Sequence, residues 1–153
     1  MTTIGIDHMG TTLGIDPGAN GAIAWSYGNG VAVEKMPSTP KDLFDLLNDI
    51  KCDGLSCKAY LEQVYSSPQM GVKSAFTFGN GFGHLEMGLT ATGISFERIR
   101  PQVWQKDMGC MTKGDKNVSK RKAQELFPEI KVTHTIADAM LILSYGIKQR
   151  KEQ

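Results

Sequence analysis

The chain has 153 residues, 41% hydrophobic and 22% charged, as expected for one compact globular domain. No apolar stretch reaches the roughly 18 residues that span a bilayer, and the N-terminus lacks a signal-peptide pattern, so we expect neither membrane insertion nor export. Three cysteines without a C-x-x-C pair argue against a disulfide framework or a zinc site. These features predict a cytoplasmic protein.

Charge is distributed unevenly along the chain. Residues 98–122 carry eight Lys and Arg against two Asp, a net charge of +6, whereas the rest of the chain sums to −5. A basic segment on a mildly acidic body is typical of proteins that bind a polyanion and gather acidic residues elsewhere for a metal. A solvated basic helix is the other interpretation of this segment.

The first half of the chain predicts four strands and one helix. Gly28 to Gly30 form a predicted hairpin turn, and Thr39 is a predicted N-cap with Pro40 at the first helical position. The predicted strands are Leu13–Asp16, Gly21–Trp25, Val31–Met36 and Ala59–Val64, and the helix covers 40–50.

The second half predicts one more strand and three helical regions. Glycines at 79, 81, 83 and 88 interrupt a helical pattern over 73–92, which indicates either close approach of another backbone or a loop leading into a helix near residue 84. The other elements are a strand over Ser95–Arg100, a polar loop over Gly109–Asn117, and helices over Ser119–Phe127 and Ile136–Lys148. This order predicts one α/β domain with an initial meander followed by crossovers.

The N-terminus contains a near-repeat. TTIGID at 2–7 resembles TTLGID at 11–16, but only the second copy continues into Pro-Gly. We interpret residues 1–9 as a tail, with Asp7 as the non-functional copy of Asp16, and residues 10–153 as the folded domain.

Three carboxylates occupy positions suited to metal binding. Asp16 and Glu62 each end a predicted strand, and Asp138 lies four residues after His134, in the predicted first turn of the last helix. Separately, each also suits a structural role: a turn-starting Asp, a water-facing edge Glu and a helix-capping Asp. Together they predict three carboxylates around two Mg²⁺ ions.

Three segments carry a resemblance to a known family. LGIDPG (13–18), LEQVY (61–65) and ADAMLI (137–142) resemble the RuvC family of Holliday-junction resolvases. The resemblance implies a ribonuclease H-like fold, with a mixed five-stranded sheet flanked by helices, and a homodimer. It also implies symmetric cutting of branched DNA with Mg²⁺, and also with Mn²⁺, to leave 5′-phosphate and 3′-hydroxyl ends.

The resemblance also implies roles for individual residues. Asp16, Glu62 and Asp138 match three of the family's acidic ligands to two metal ions. His134 lies one residue before the family's fourth ligand position, here Thr135, and resembles the arrangement of phage and plant chloroplast relatives. Its role could be that of a metal ligand, of a proton shuttle, or only of a group that stacks and orients. The implied DNA contacts are a base-stacking Tyr65 and the basic residues Lys106, Lys113, Lys116, Lys120 and Arg121.

Some interpretations stay open at this point. The glycine-rich stretch 78–88 and the following helix form a candidate dimer interface, although packing within one chain explains the glycines almost as well. A nuclease acting on flaps, forks or structured RNA is one alternative function, and a junction-binding module that does not cut is another. A bacterial or phage-encoded protein is expected, and an organellar origin stays open.

Overall fold

The structure is a computed structural model that describes residues 10–51, 56–111 and 113–153. The predicted tail at 1–9, with Asp7, lies outside the described residues. Five strands and five helices are present in this part of the chain. They are β1 (Thr11–Asp16), β2 (Ala22–Tyr27), β3 (Gly30–Lys35), α1 (Pro40–Ile50), β4 (Cys57–Glu62), α2 (Val72–Thr92), β5 (Ser95–Ile99), α3 (Pro101–Asp107), α4 (Lys116–Leu126) and α5 (His134–Lys151).

The strands form one mixed sheet in the order β3-β2-β1-β4-β5. β1, β2 and β3 make an antiparallel meander, whereas β4 runs parallel to both β1 and β5. Ile15 of β1 pairs with Leu61 of β4, so the next residues along the two strands, Asp16 and Glu62, reach the same edge of the sheet. The predicted mixed five-stranded sheet is confirmed.

Helices cover both faces of the sheet. One apolar cluster joins the sheet to α1 and α2 through residues such as Leu13, Leu47 and Leu89. The other cluster joins the opposite face to α3, α4 and α5 and includes Trp104 and Met140. Successive side chains along a strand point to opposite faces of the sheet. Ile15 and Leu61 belong to the cluster with α1 and α2. The residues that follow them, Asp16 and Glu62, therefore lie on the opposite face, which α5 covers.

Close packing of α5 on β1 brings the start of the helix to the acidic edge of the sheet. Gly14 is buried, and a Cβ atom at this position would overlap the backbone of Ala139 and Leu143. The helix can approach the strand this closely because Gly14 has no side chain. The Gly of the LGID motif is therefore a packing requirement of the site.

Several predicted elements are confirmed, and others need correction. Thr39 caps α1 by accepting a hydrogen bond from the Asp42 backbone N–H at 3.1 Å, as predicted. The suggested loop before residue 84 is wrong, because α2 is continuous from Val72. The polar loop predicted up to Asn117 ends earlier, since α4 begins at Lys116.

Helix α3 was not expected from the sequence. Pro101 ends the preceding strand, but it also takes the first helical position of α3, where its fixed φ and missing N–H are tolerated. Helix α5 likewise begins at His134, two residues before the predicted start. Both differences affect the candidate site, because α3 and the first turn of α5 lie next to the carboxylates.

Two further findings concern the thiols and membranes. Cys57 and Cys110 are buried free thiols, and Cys52 lies outside the described residues. Within the described ranges, no helix combines the length and hydropathy required to cross a membrane.

Candidate active site

Three carboxylates from distant parts of the chain meet at one edge of the sheet. Asp16 ends β1, Glu62 ends β4, and Asp138 projects from α5. The charges of Glu62 and Asp138 both act on Asp16, which shows that the three groups are close enough to repel one another. Asp138 is the fifth residue of α5, so the prediction that it lies in the first turn is wrong; that turn contains no acidic residue.

The carboxyl groups are poorly solvated and mutually repulsive. Burial, followed by the charges of Glu62 and Asp138, raises the pKa of Asp16 to about 8, while Lys116 opposes the shift. Burial also raises the pKa of Glu62 to about 7, and burial raises the pKa of Asp138. A cluster of this kind needs protons or cations to be stable at neutral pH.

Two neutral side chains donate hydrogen bonds to the cluster. The indole Nε1–H of Trp104 donates to Glu62 Oε2 at 2.7 Å, and the Ser119 hydroxyl donates to Asp138. Both bonds lower the pKa of their carboxyl group against the effect of burial. They therefore favour the ionised form that a metal ion requires.

The donor set suits a hard divalent cation. Carboxylate oxygens are the ligands that Mg²⁺ and Mn²⁺ prefer, and Asp16, Glu62 and Asp138 supply three of these groups without a thiolate. In the described part of the chain, no three His, Cys, Asp or Glu side chains are arranged so that they could together hold a metal ion as they stand. The fit therefore rests on oxygen chemistry and mutual repulsion.

A small pocket of about 210 Å³ opens beside the carboxylates. Its polar lining includes Asp16, Asn20, Lys116, Ser119, His134 and Asp138. His134 starts α5, is exposed, and acts electrostatically on Asp138 one turn later, so the predicted shared face is confirmed. Lys116 starts α4 and brings a positive charge to both Asp16 and Asp138.

A larger groove adjoins the end of β4. It is lined by an exposed Tyr65 together with Phe78, Arg100 and Lys106, among others. Tyr65 is 70% exposed, so its ring is available to a ligand and is not part of the core. The aromatic ring and the basic groups share one surface, which suits stacking combined with phosphate contact.

The predicted basic residues occupy several surfaces. Lys113 is exposed in a turn, with a positive φ of 49°. Lys120 and Arg121 line a separate groove along α4. Among the predicted basic residues, Lys116 is brought to the carboxylates, whereas Lys106 lies in the Tyr65 groove.

Sequence reasoning missed Trp104 and Ser119 as parts of the site. No role in the site was predicted for Trp104, and Ser119 was predicted only as the start of a helix. A tryptophan in an otherwise polar and basic segment is a usable signal, because a buried indole N–H needs an acceptor. Ser119 carries no such signal, since only the packing of α4 on α5 places it near Asp138.

The fold and the site define the class of protein: a ribonuclease H-like α/β fold with three carboxylates at the sheet edge. No profile of a known protein family matches the chain, and no curated sequence matches either. Solved structures do match. The Thermus thermophilus RuvC structure is 15% identical with a TM-score of 0.61, covering 93% of this chain and 96% of that chain.

Two further solved structures give the same result. T. thermophilus RuvC in complex with a Holliday junction substrate is 14% identical with a TM-score of 0.61, covering 92% of this chain and 95% of that chain. The yeast mitochondrial Holliday junction resolvase is 14% identical with a TM-score of 0.55, covering 94% of this chain and 80% of that chain. The structural neighbours are thus RuvC Holliday junction resolvases, and the chain has their fold.

Proposed function

We propose that this chain is a Mg²⁺-dependent, structure-selective DNA endonuclease that resolves four-way (Holliday) junctions by paired symmetric nicks. The observation that carries the proposal is the convergence of Asp16, Glu62 and Asp138 at one edge of a RuvC-like sheet, next to Lys116. Solved neighbours include a RuvC bound to a Holliday junction substrate, which supports branched DNA as the partner.

The carboxylates would hold two divalent ions, with Asp16 between Glu62 and Asp138. Bound Mg²⁺ or Mn²⁺ neutralises phosphate charge and provides a nucleophilic water near neutral pH. Lys116, already close to Asp16 and Asp138, would donate to a phosphate oxygen and offset its charge.

His134 would assist proton transfer. Its imidazole is exposed and lies one helical turn from Asp138, so it can exchange protons with solvent. It would take the proton of the attacking water, or act as a further metal ligand. Hydrolysis would leave a 5′-phosphate and a 3′-hydroxyl.

DNA would be held on the surfaces that surround this pocket. Tyr65 would stack on a base near the branch point, and Lys106 in the same groove would contact a phosphate. Lys113, Lys120 and Arg121 would contact the backbone of the arms, beyond the cleavage site.

A homodimer would supply two sites for the two opposed cuts. The predicted contact is only partly exposed: Leu85 and Leu89 are buried in this chain's own core, and a Cβ at Gly88 would press on Leu47. The exposed part of α2 includes Val72, Phe76 and Met87 with open space at Gly79 and Gly83. We therefore place the proposed interface on this outer face of α2.

Sedimentation of the free protein tests the dimer, and a supercoiled cruciform plasmid tests paired cutting. We expect a dimer that converts the plasmid directly to linear DNA within one binding event. A monomer that yields only nicked circles with excess protein would contradict paired cutting and indicate a nickase.

The substrate class is tested by comparing four DNA and RNA substrates under single-turnover conditions. A mobile-core four-way junction, a flap, a replication fork and a structured RNA are each incubated with Mg²⁺ or with EDTA. We expect cleavage of the junction at symmetric positions, only with Mg²⁺. Faster cleavage of the flap, fork or RNA would favour a different nuclease, and binding without cutting would favour a junction-binding module.

We also propose that the protein acts in the cytoplasm of a bacterium, or of a host cell if it is phage-encoded. The domain at 10–153 would carry the activity, with the first nine residues outside it.

A further inference from the structure

We propose that Trp104 is a positioning residue that fixes Glu62 for metal binding, an inference that rests on the proposed function. The Trp104 indole donates to Glu62 Oε2 at 2.7 Å. This bond occupies one lone pair of Oε2 and fixes the orientation of the carboxylate, so Oε1 would be the freer of the two oxygens to face an ion. Trp104 would thus set which oxygen of Glu62 is available and in what direction it points.

The chain holds the two residues together through main-chain structure. Glu62 pairs with Ile99 across the parallel strands β4 and β5, and the Gln63 N–H donates to the Ile99 carbonyl at 2.7 Å. Arg100 and Pro101 then turn the chain directly into α3, which carries Trp104. Donor and acceptor therefore rest on two elements joined at their ends, which fixes the distance between them.

The indole ring itself is fixed by packing. Trp104 is fully buried in the cluster that also contains Tyr60, Ile99 and Met140. A ring held on all sides has little rotamer freedom, so its N–H direction is set before any ion arrives. Glu62 has no such packing, because it is only partly buried at the strand end.

A purely structural role for Trp104 makes a different prediction. If the ring only filled the core, replacing its N–H by an isosteric group would change neither metal affinity nor cleavage. A second-sphere hydrogen bond predicts a loss of about 10- to 100-fold in metal affinity or activity when the donor is removed.

The test replaces the donor while keeping the shape. Tryptophan is replaced biosynthetically by benzothienylalanine, in which sulfur takes the place of Nε1–H, in a Trp25→Phe background so that only position 104 changes. The Trp25→Phe protein with ordinary tryptophan is the matched control, because Trp25 packs in the opposite cluster. Trp104→Phe serves as a genetically encoded second variant.

Mn²⁺ affinity of the full chain is measured by calorimetry without DNA, and junction affinity is measured in EDTA. We expect the analogue to bind Mn²⁺ about 10-fold more weakly or worse than the control, with junction affinity in EDTA within about twofold. In a Glu62→Gln background, we expect loss of the N–H to cause no further loss of Mn²⁺ affinity, because the two residues act as one unit.

Unchanged Mn²⁺ affinity in the analogue would overturn the inference. It would also be overturned if removing the indole N–H lowered Mn²⁺ affinity as much in the Glu62→Gln background as in the protein with Glu62. The proposed function fails separately: a wild-type chain that binds Mn²⁺ but leaves junctions uncut would refute the nuclease. In that case the calorimetry still decides whether Trp104 positions Glu62.

Discussion

The acidic site and the basic segment at 98–122 are built in opposite ways. Each carboxylate of the site leaves a buried element, and two of them receive a hydrogen bond from Trp104 or Ser119. The lysines are mostly exposed and are spread over the pocket beside the carboxylates, the Tyr65 groove and the groove along α4. The carboxylates are therefore held together at one place by packing and hydrogen bonds, whereas the lysines are exposed and distributed over several surfaces.

This difference indicates two kinds of energetic contribution. Catalysis by metal ions depends on ligand positions within a fraction of an ångström, which a packed core supplies. Attraction of a polyanion depends on summed charge, which tolerates mobile side chains and is screened by salt. Changes in the acidic site should therefore affect rate, and changes in the basic segment should mainly affect affinity.

The largest expected effect is on cleavage. Glu62→Gln and Asp138→Asn should each lower the single-turnover cleavage rate by about 10³-fold, because loss of a metal ligand removes several kcal/mol of transition-state stabilisation. Asp45→Asn is the control, since Asp45 lies on α1 in an exposed pair with Lys41. If the control lost as much activity as the site variants, the assignment of the acidic site would be wrong.

The packing that supports the site should be sensitive to one methyl group. Gly14→Ala places a Cβ against the backbone of α5 and should lower the free energy of unfolding by about 3 kcal/mol or more. On α2, a Cβ atom at Gly81 would have no neighbour within 4 Å. Gly81→Ala should therefore raise the free energy of unfolding by about 1 kcal/mol, because alanine favours a helix more than glycine does. Urea unfolding of both variants measures the contrast; equal effects would refute the tight β1–α5 contact.

The sequence predicted the site better than its supporting structure. Each of Asp16, Glu62 and Asp138 also suited a structural role, and they were selected as a set because their three motifs together resemble those of the RuvC family. Helix α3 was missed because it is only seven residues long and follows a proline that also stops a strand. Its role became visible only when parallel pairing placed Ile99 beside Glu62.

Long-range packing also explains the errors along α2. Four glycines reduce helix propensity and favoured a loop, yet Leu85 and Leu89 anchor the helix in the core. Tertiary burial outweighs a propensity cost of about 1 kcal/mol per glycine. Which lysine reaches the carboxylates could not be predicted either, since it depends on where α4 begins relative to α5.

Metal-free stability should depend on pH through Asp16. Its pKa is raised from 3.8 to about 8, so its contribution to folding is fully present below about pH 4 and is lost as pH rises towards 8. In EDTA, Asp16→Asn should therefore be more stable than wild type at pH 8, by ~2 kcal/mol after allowance for partial exposure, and nearly equal at pH 5.

Denaturant unfolding at both pH values, with EDTA or Mg²⁺, measures this effect. Added Mg²⁺ should stabilise wild type at pH 8 and reduce the difference, because binding to the folded state adds stability. A difference that is the same at pH 5 and pH 8 would contradict the burial and repulsion assigned to Asp16.

The smallest expected effects come from the basic segment. Replacing Lys113, Lys116 and Lys120 together by Ala should weaken binding to all DNA forms, with the slope of log K against log salt reduced by roughly 0.9 per lost phosphate contact. Among single variants, Lys116→Ala should also slow cleavage, whereas Lys120→Ala should change affinity alone. Lys41→Ala on α1 is the matched control.

Filter binding over a series of salt concentrations gives the slopes. An unchanged slope in the triple variant would show that residues 113–120 form a solvated surface that does not contact DNA. Equal cleavage by Lys116→Ala and Lys120→Ala at saturating protein would contradict the separate placement of these two lysines.

The central claim is tested most directly by Asp16→Asn on a mobile-core four-way junction with Mg²⁺. Junction affinity in EDTA and the single-turnover cleavage rate are measured on the same preparation. We expect wild-type affinity with no detectable cutting. Cleavage by Asp16→Asn at near the wild-type rate would contradict it, and loss of activity in Asp7→Asn instead would assign the essential carboxylate to the other copy of the repeat.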